Sequence, residues 1–187
     1  MRLVLATRND HKVRELSRLL PGAELEPLPS GITLPPEDGG TFAANALGKA
    51  RAAAEELGRP AIGDDSGIES AALNGRPGVR TARFAGETAT DEENLAKLGR
   101  EAPVGSALTY VCVIAHVDPD GAETLFEGTA SGTVASAPAG DGGFGYDPLF
   151  VPDGGDGRTM AELGDDEKDA ISHRGRAARA LEEWLAR

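Results

Sequence analysis

The chain has 187 residues, 40% of them hydrophobic and one of them cysteine, so it can bury a core without disulfides or metal staples. Its net charge of −12, from 19 basic and 31 acidic residues, speaks against a broad nucleic-acid surface, which Lys and Arg must build by neutralising phosphates. No stretch approaches the roughly 20 apolar residues of a membrane helix, the start turns polar too soon for a signal peptide, and the lone Cys112 fits a reducing compartment. A single domain over residues 1–187 is expected, cytoplasmic, with no nucleic-acid and no membrane partner. An acidic protein that binds a nucleotide is expected to recruit a cation, because one local cluster can override the global charge.

Residues 2–6 read as a buried strand. A helix begins at Asn9 or Asp10, with Val13, Leu16, Leu19 and Leu20 at helical spacing. Residues 23–28 form a weaker strand, and residues 34–40 a loop rich in Pro and Gly that carries Glu37 and Asp38. A helix follows over 41–57, closed by Gly58, with Phe42, Ala46, Ala50, Ala53 and Leu57 on one face. Pro60 and Gly63 bracket a short buried-strand signal, which Ser66-Gly67 is expected to break. Thr90 and Glu93 make a capping box for a short helix that Gly99 should end. Residues 107–117 are the longest apolar run, rich in β-formers; Asp118-Pro119-Asp120-Gly121 turns it, and residues 123–126 return as a hairpin partner. Residues 137–157 read as loop, and Ser172 opens a terminal helix with Ala177, Leu181, Trp184 and Leu185 at core spacing.

The chemistry concentrates in a few strings. Asp64 and Asp65 are adjacent carboxylates at the end of an apolar run, and ionised carboxylates beside core residues need a cation, a proton or a helix end. Side chains alternate along an extended segment, so only one of the two faces a given cleft. Read alone, the string fits equally a turn with Asp and Ser capping backbone groups, or a hard divalent metal with a water-activating Asp.

The turn Thr7-Arg8-Asn9-Asp10-His11-Lys12 leads from strand to helix start, a natural phosphate seat, although it also fits a plain polar turn capped by Asn or Asp. It is not a P-loop. Asn45 and Lys49 share a helix face, and Glu37 lies just upstream, where it can join Asp65 around a cation. In Gly143-Phe144-Gly145-Tyr146-Asp147-Pro148, two aromatics sit in a loop of a chain with only 4% aromatics. They suit stacking on a planar base, or plugging the core. Lys168 precedes Ser172-His173-Arg174 at the start of the last helix, where Arg174 offers a rigid fork of donors. The three histidines have no zinc spacing.

Together these strings resemble one family, the inosine/xanthosine triphosphate pyrophosphatases, over nearly the whole chain and in the family's order. The resemblance also takes in Pro77-Gly78 with Ala82-Arg83, and Glu167-Lys168. It implies an α/β fold, a mixed elongated central sheet flanked by helices in two lobes with an active-site cleft between them, and a homodimer. The implied chemistry is Mg²⁺-dependent hydrolysis of non-standard purine triphosphates (ITP, dITP, XTP) to the monophosphate and pyrophosphate. The resemblance makes Asp65 the general base and, with Glu37, a metal ligand. Thr7, Arg8, Asn9, Asp10, His11, Lys12, Asn45, Lys49 and Ser66 are the implied contacts on the phosphate side. Phe144, Gly145, Tyr146, Asp147, Lys168, His173 and Arg174 would hold base and sugar. One motif departs from the family's usual Thr-Gly-Asn-x-Gly-Lys: Arg8 and His11 stand where it has glycines. The competing readings are the related branch acting on modified pyrimidine triphosphates, and a non-catalytic nucleotide sensor.

Overall fold

In a computed structural model describing residues 1–187, helices flank a six-stranded sheet of order β2-β1-β3-β4-β5-β6. The strands are β1 (Arg2–Leu5), β2 (Glu24–Pro27), β3 (Ala61–Ser70), β4 (Ala107–Val117), β5 (Glu123–Val134) and β6 (Phe150–Pro152). The helices are α1 (Asp10–Leu19), α2 (Phe42–Leu57), α3 (Asp91–Glu101), α4 (Asp165–Ile171) and α5 (His173–Leu185). The sheet is mixed: β1 runs parallel to β2 and β3, while β5 and β6 are antiparallel. The parallel connections are made by α1 and α2, as parallel neighbours require. No helix is long and apolar enough to cross a membrane.

Local sequence explains most boundaries. Asn9 caps α1, Thr41 caps α2, and Gly58 closes α2 in the left-handed conformation. The expected capping box is present at Thr90 and Glu93.

Four expectations are corrected. Ser66-Gly67 does not break β3; the strand runs on to Ser70 because Ile68 is fully buried and its N–H donates to Thr81 Oγ1 at 2.9 Å. Gly99 lies inside α3, which continues to Glu101; the missing side chain leaves room for Leu149, whose Cδ1 would sit 3.2 Å from a Cβ there. The return strand β5 is far longer than residues 123–126, its Phe126, Ala130 and Val134 buried along it. Residues 137–157 are not all loop: a 3₁₀ turn (Asp147–Leu149) and β6 occupy their second half, where Phe150 has no solvent exposure. The helix α4 went unpredicted, since its seven residues are mostly charged.

The chain forms two compact units. The first comprises residues 1–65, 112–128 and 173–187; the second comprises residues 66–111 and 129–172. Leu3 and Leu5 of β1, Leu16 and Leu20 of α1, Ile62, Ile114 and Leu181 centre the first core. Ile68, Leu98, Leu108, Tyr110, Phe150 and Met160 centre the second.

Candidate active site

Gly63 brings a helix against two acids. A Cβ at this position would lie 2.5 Å from the Ala46 carbonyl oxygen and 2.9 Å from the Ala50 nitrogen, so α2 approaches β3 as closely as only glycine allows. Asn45 and Lys49, one helical turn apart on the same face, are thereby set beside the next residues of the strand. Asp64 and Asp65 lie in β3, not in a turn, and they meet different first partners.

Asp65 Oδ2 accepts a hydrogen bond from Asn45 Nδ2 at 2.8 Å, and Oδ1 lies 3.8 Å from Lys49 Nζ. The Asn45 amide oxygen in turn accepts from the Gly39 N–H at 2.9 Å, which ties the acidic loop to the carboxylate. From that loop Glu37 reaches Lys49 Nζ at 2.5 Å. Burial pushes the Asp65 carboxyl above its ordinary value, with Glu37 adding to the effect; Lys49, Lys12 and the Asn45 hydrogen bond oppose it without reversing it. Burial also works against charge on Glu37, but the Lys49 ammonium outweighs it and holds that carboxyl low. Lys49 itself is held protonated: burial disfavours its charge, and Asp64, Glu37 and Asp65 more than compensate.

Asp64 is wholly buried, with Oδ2 2.9 Å from Lys12 Nζ and 3.7 Å from Arg174 Nη2, though neither oxygen accepts a well-directed hydrogen bond. Burial favours its protonated form, yet Lys12, Arg174 and Lys49 outweigh that and keep it ionised. Arg174 Nη1 donates to Glu15 Oε2 at 2.5 Å, both groups buried. Nearby Cys112 is an inert thiol, its pKa pushed by burial up to about 12.

Three cations (Lys12, Lys49, Arg174) therefore face four carboxylates (Glu15, Glu37, Asp64, Asp65). Of Glu37, Asp64 and Asp65, Asp65 is the one whose pKa is raised, chiefly by burial and in smaller part by Glu37. No group of three or more His, Cys, Asp or Glu forms an all-protein metal cage. Mg²⁺ needs none, since it is held by one or two carboxylates with waters and substrate phosphates. Glu37 and Asp65, two hard oxygen donors converging on one ammonium, fit such an ion.

In the first turn, Asn9 is committed to the helix: its Oδ1 accepts from the N–H groups of His11 at 2.9 Å and Lys12 at 3.3 Å. Thr7 Oγ1 accepts from the Asn9 N–H at 3.2 Å. Asp10 and His11 are exposed, with His11 Nδ1 2.9 Å from Arg14 Nη2. Arg8 turns to the carbonyls that follow β2. Neither Arg8 nor His11 needs a glycine-like backbone; among non-glycine residues only Asn74 has a positive φ.

The second unit carries its own cluster. Asp147, buried, accepts from the Tyr110 hydroxyl at 3.0 Å, the Phe144 N–H at 2.9 Å and Lys168 Nζ at 2.7 Å. Lys168 Nζ lies 5.3 Å from the centre of the Phe144 ring. Gly143 makes this possible: its φ is +67°, and a Cβ would collide with Asp147 Oδ2. Tyr146 plugs the core, its hydroxyl donating to the Thr81 carbonyl at 2.8 Å, while Phe144 stays half-buried. The Gly145 N–H donates to Asp91 Oδ2 at 3.1 Å. Ser66 follows Asp65 on β3 and is half-buried; His173 opens α5 and is buried.

Sequence reasoning missed Glu15, the structural weight of Asp64, and Tyr110. Glu15 had a signal, since a carboxylate next to Leu16 and three residues after Lys12 shares the buried side of α1. Tyr110, inside a continuous apolar run, had none.

The model of the Ham1 family matches residues 3–184. Two proteins named dITP/XTP pyrophosphatase are similar: that of Symbiobacterium thermophilum is 50% identical, covering 97% of this chain and 93% of its own, and that of Cutibacterium acnes 47%, covering 96% and 94%. The structure of a HAM1 protein from Coxiella burnetii superposes with a TM-score of 0.89 at 39% identity, covering 100% of this chain and 98% of the other. The dITP/XTP pyrophosphatase of Mycobacterium abscessus does so with a TM-score of 0.75 at 44% identity, covering 97% and 98%. The chain belongs to the Ham1 family.

Proposed function

We propose that the protein hydrolyses dITP, ITP and XTP to the nucleoside monophosphate and pyrophosphate with Mg²⁺, removing non-standard purine nucleotides from the pool. The observation that carries this reading is the cluster in which buried Asp65 and half-exposed Glu37 converge on Lys49. The names of the similar proteins supply the substrate class.

Glu37 and Asp65 would hold the Mg²⁺, which supplies an acidified water and charge neutralisation on phosphate oxygens. Asp65, whose raised pKa makes it a better proton acceptor than an exposed Asp, takes a proton from the attacking water. Lys49 and Lys12 neutralise the phosphate chain, most effectively in a site that excludes water. Asn45 holds Asp65 Oδ2, so that Oδ1 faces the reaction. Thr7 and Ser66 each offer a hydroxyl to the phosphate chain, while Asn9 shapes the turn, its amide oxygen accepting from the His11 and Lys12 N–H groups.

Phe144, half-buried, offers its ring for stacking, and Lys168, fixed by Asp147, a donor for the 6-oxygen that inosine and xanthine carry. His173 and Arg174 complete the base and sugar contacts in this reading. Arg174 donates to Glu15 here, so contact with a base requires it to change partner. A cytoplasmic homodimer belongs to the same reading, and light scattering tests the assembly.

A triphosphate panel with Mg²⁺ tests the function. Pyrophosphate released from dITP, ITP and XTP, with no diphosphate intermediate and little turnover of ATP or GTP, is the expected result. Orthophosphate with IDP, or turnover confined to pyrimidine triphosphates, would overturn it.

A further inference from the structure

Glu37 lies in a segment without regular secondary structure, residues 28–41, between β2 and α2. Such a segment positions a metal ligand only if something holds it. Its far end is moored: the Gly39 N–H donates to Asn45, and Pro35 Cγ would lie 3.5 Å from a Cβ at Gly48 of α2. Its near end is held by one side chain. The Arg8 guanidinium donates to the carbonyls of Leu28 at 3.1 Å, Pro29 at 2.8 Å, Ser30 at 3.3 Å and Ile32 at 2.8 Å.

The Pro29 carbonyl also accepts from the Ile32 N–H at 3.1 Å, and a planar fork of five donors is the side chain suited to gathering several carbonyls at once. Between Ile32 and Glu37 stand Pro35 and Pro36, each with φ fixed near −65°, so a position set at Ile32 is carried forward through a stiff stretch.

We propose that Arg8 is a positioning residue: by clamping the carbonyls of residues 28–32, it sets where Glu37 stands beside Lys49 and Asp65, and so tightens the site for a divalent cation. This rests on the reading of Glu37 and Asp65 as the metal pair. In this role Arg8 acts through the loop, its guanidinium being engaged by those carbonyls. Its presence in the phosphate-side turn reflects loop mooring, and it couples that turn to the acidic loop.

The test uses the full chain, unsubstituted and as Arg8→Gly and Arg8→Lys. Lysine keeps the charge but cannot span four carbonyls. Amide exchange over residues 29–39 and Mn²⁺ binding by electron paramagnetic resonance, without nucleotide, are the readouts. Arg8→Gly should speed exchange in that segment and leave the β1 amides protected. Its Mn²⁺ affinity should fall about tenfold, as when a side chain supporting a metal ligand is lost, with Arg8→Lys in between.

Unchanged exchange over residues 29–39, unchanged Mn²⁺ affinity in Arg8→Gly, or full rescue of both by lysine would each overturn the proposal, as would an unsubstituted protein that holds no Mn²⁺. An unsubstituted protein that binds Mn²⁺ but leaves dITP intact would overturn the proposed function, while the two binding curves still decide the role of Arg8.

Discussion

Asn45 bonds Asp65 through its amide nitrogen at 2.8 Å and Gly39 through its amide oxygen at 2.9 Å, so one side chain aligns the proposed base with the loop that carries Glu37. Asn45→Ala removes both bonds at once. Because it supports a reacting carboxylate, the expected loss in kcat is about 10–100-fold. Steady-state assays on dITP at saturating Mg²⁺ check it, with circular dichroism confirming that α2 persists. Asn45→Asp should lose more, because it sets a second carboxylate against Asp65.

Gly63→Ala tests the approach of α2 to β3. Its methyl group would sit 2.5 Å from the Ala46 carbonyl oxygen, so helix and strand must part. Overpacking of this kind costs about 1–3 kcal/mol. Urea denaturation should show that loss, with activity falling further because Asn45 and Lys49 move with the helix.

How far the sequence foretold this arrangement depends on the kind of signal. Periodicity and caps marked α1, α2, α3, α5 and β4 because helix starts at Asn9, Thr41 and Thr90 are local chemistry. The continuation of β3 past Ser66-Gly67 was hidden, because Thr81, a distant residue, supplies the bond that steadies it. In the site, motif strings marked Asp65, Glu37, Asn45 and Lys49. The pairing of Arg174 with Glu15, 159 residues apart, and of Tyr110 with Asp147 is set by tertiary packing that no local pattern encodes.

Glu15 and Arg174 form a buried ion pair, and removing Glu15 takes from the buried guanidinium its hydrogen-bonded counter-charge, leaving Asp64 at 3.7 Å. Glu15→Ala should therefore destabilise the protein by about 3–5 kcal/mol. Arg174→Ala should destabilise it too, so lowered turnover alone says nothing of base reading. The ratio of kcat/KM for ITP over ATP decides that: it should narrow in Arg174→Ala if the guanidinium contacts the 6-oxygen, and stay unchanged if its work is confined to Glu15 and Asp64.

His116 packs 4.8 Å, ring centre to ring centre, from Trp184, with Asp118 Oδ2 3.8 Å from its Nδ1. Burial lowers its pKa below the ordinary 6.5, more than Asp118 raises it. Below that ordinary value the unfolded chain binds the extra proton first, so the stability from neutral His116 is full above pH 6.5 and lost as pH falls. The Tm of His116→Phe should accordingly drop less than that of the unsubstituted protein between about pH 7.5 and about pH 5.5. An equal drop would assign the acid sensitivity to other groups.

The central claim is that Asp65, and not its neighbour, is the base in pyrophosphate release. Asp65→Asn keeps the shape and the Asn45 contact but removes the proton acceptor, whereas Asp64→Asn removes a buried counter-charge for Lys12 and Arg174. Pyrophosphate release from dITP with Mg²⁺, measured for both variants and normalised to folded protein, separates the two roles. The prediction is a loss of about 10²–10⁴-fold for Asp65→Asn at near-unchanged Tm, and for Asp64→Asn a lowered Tm with most turnover kept in the folded fraction. Near-normal release by Asp65→Asn alongside abolished release by fully folded Asp64→Asn would contradict it.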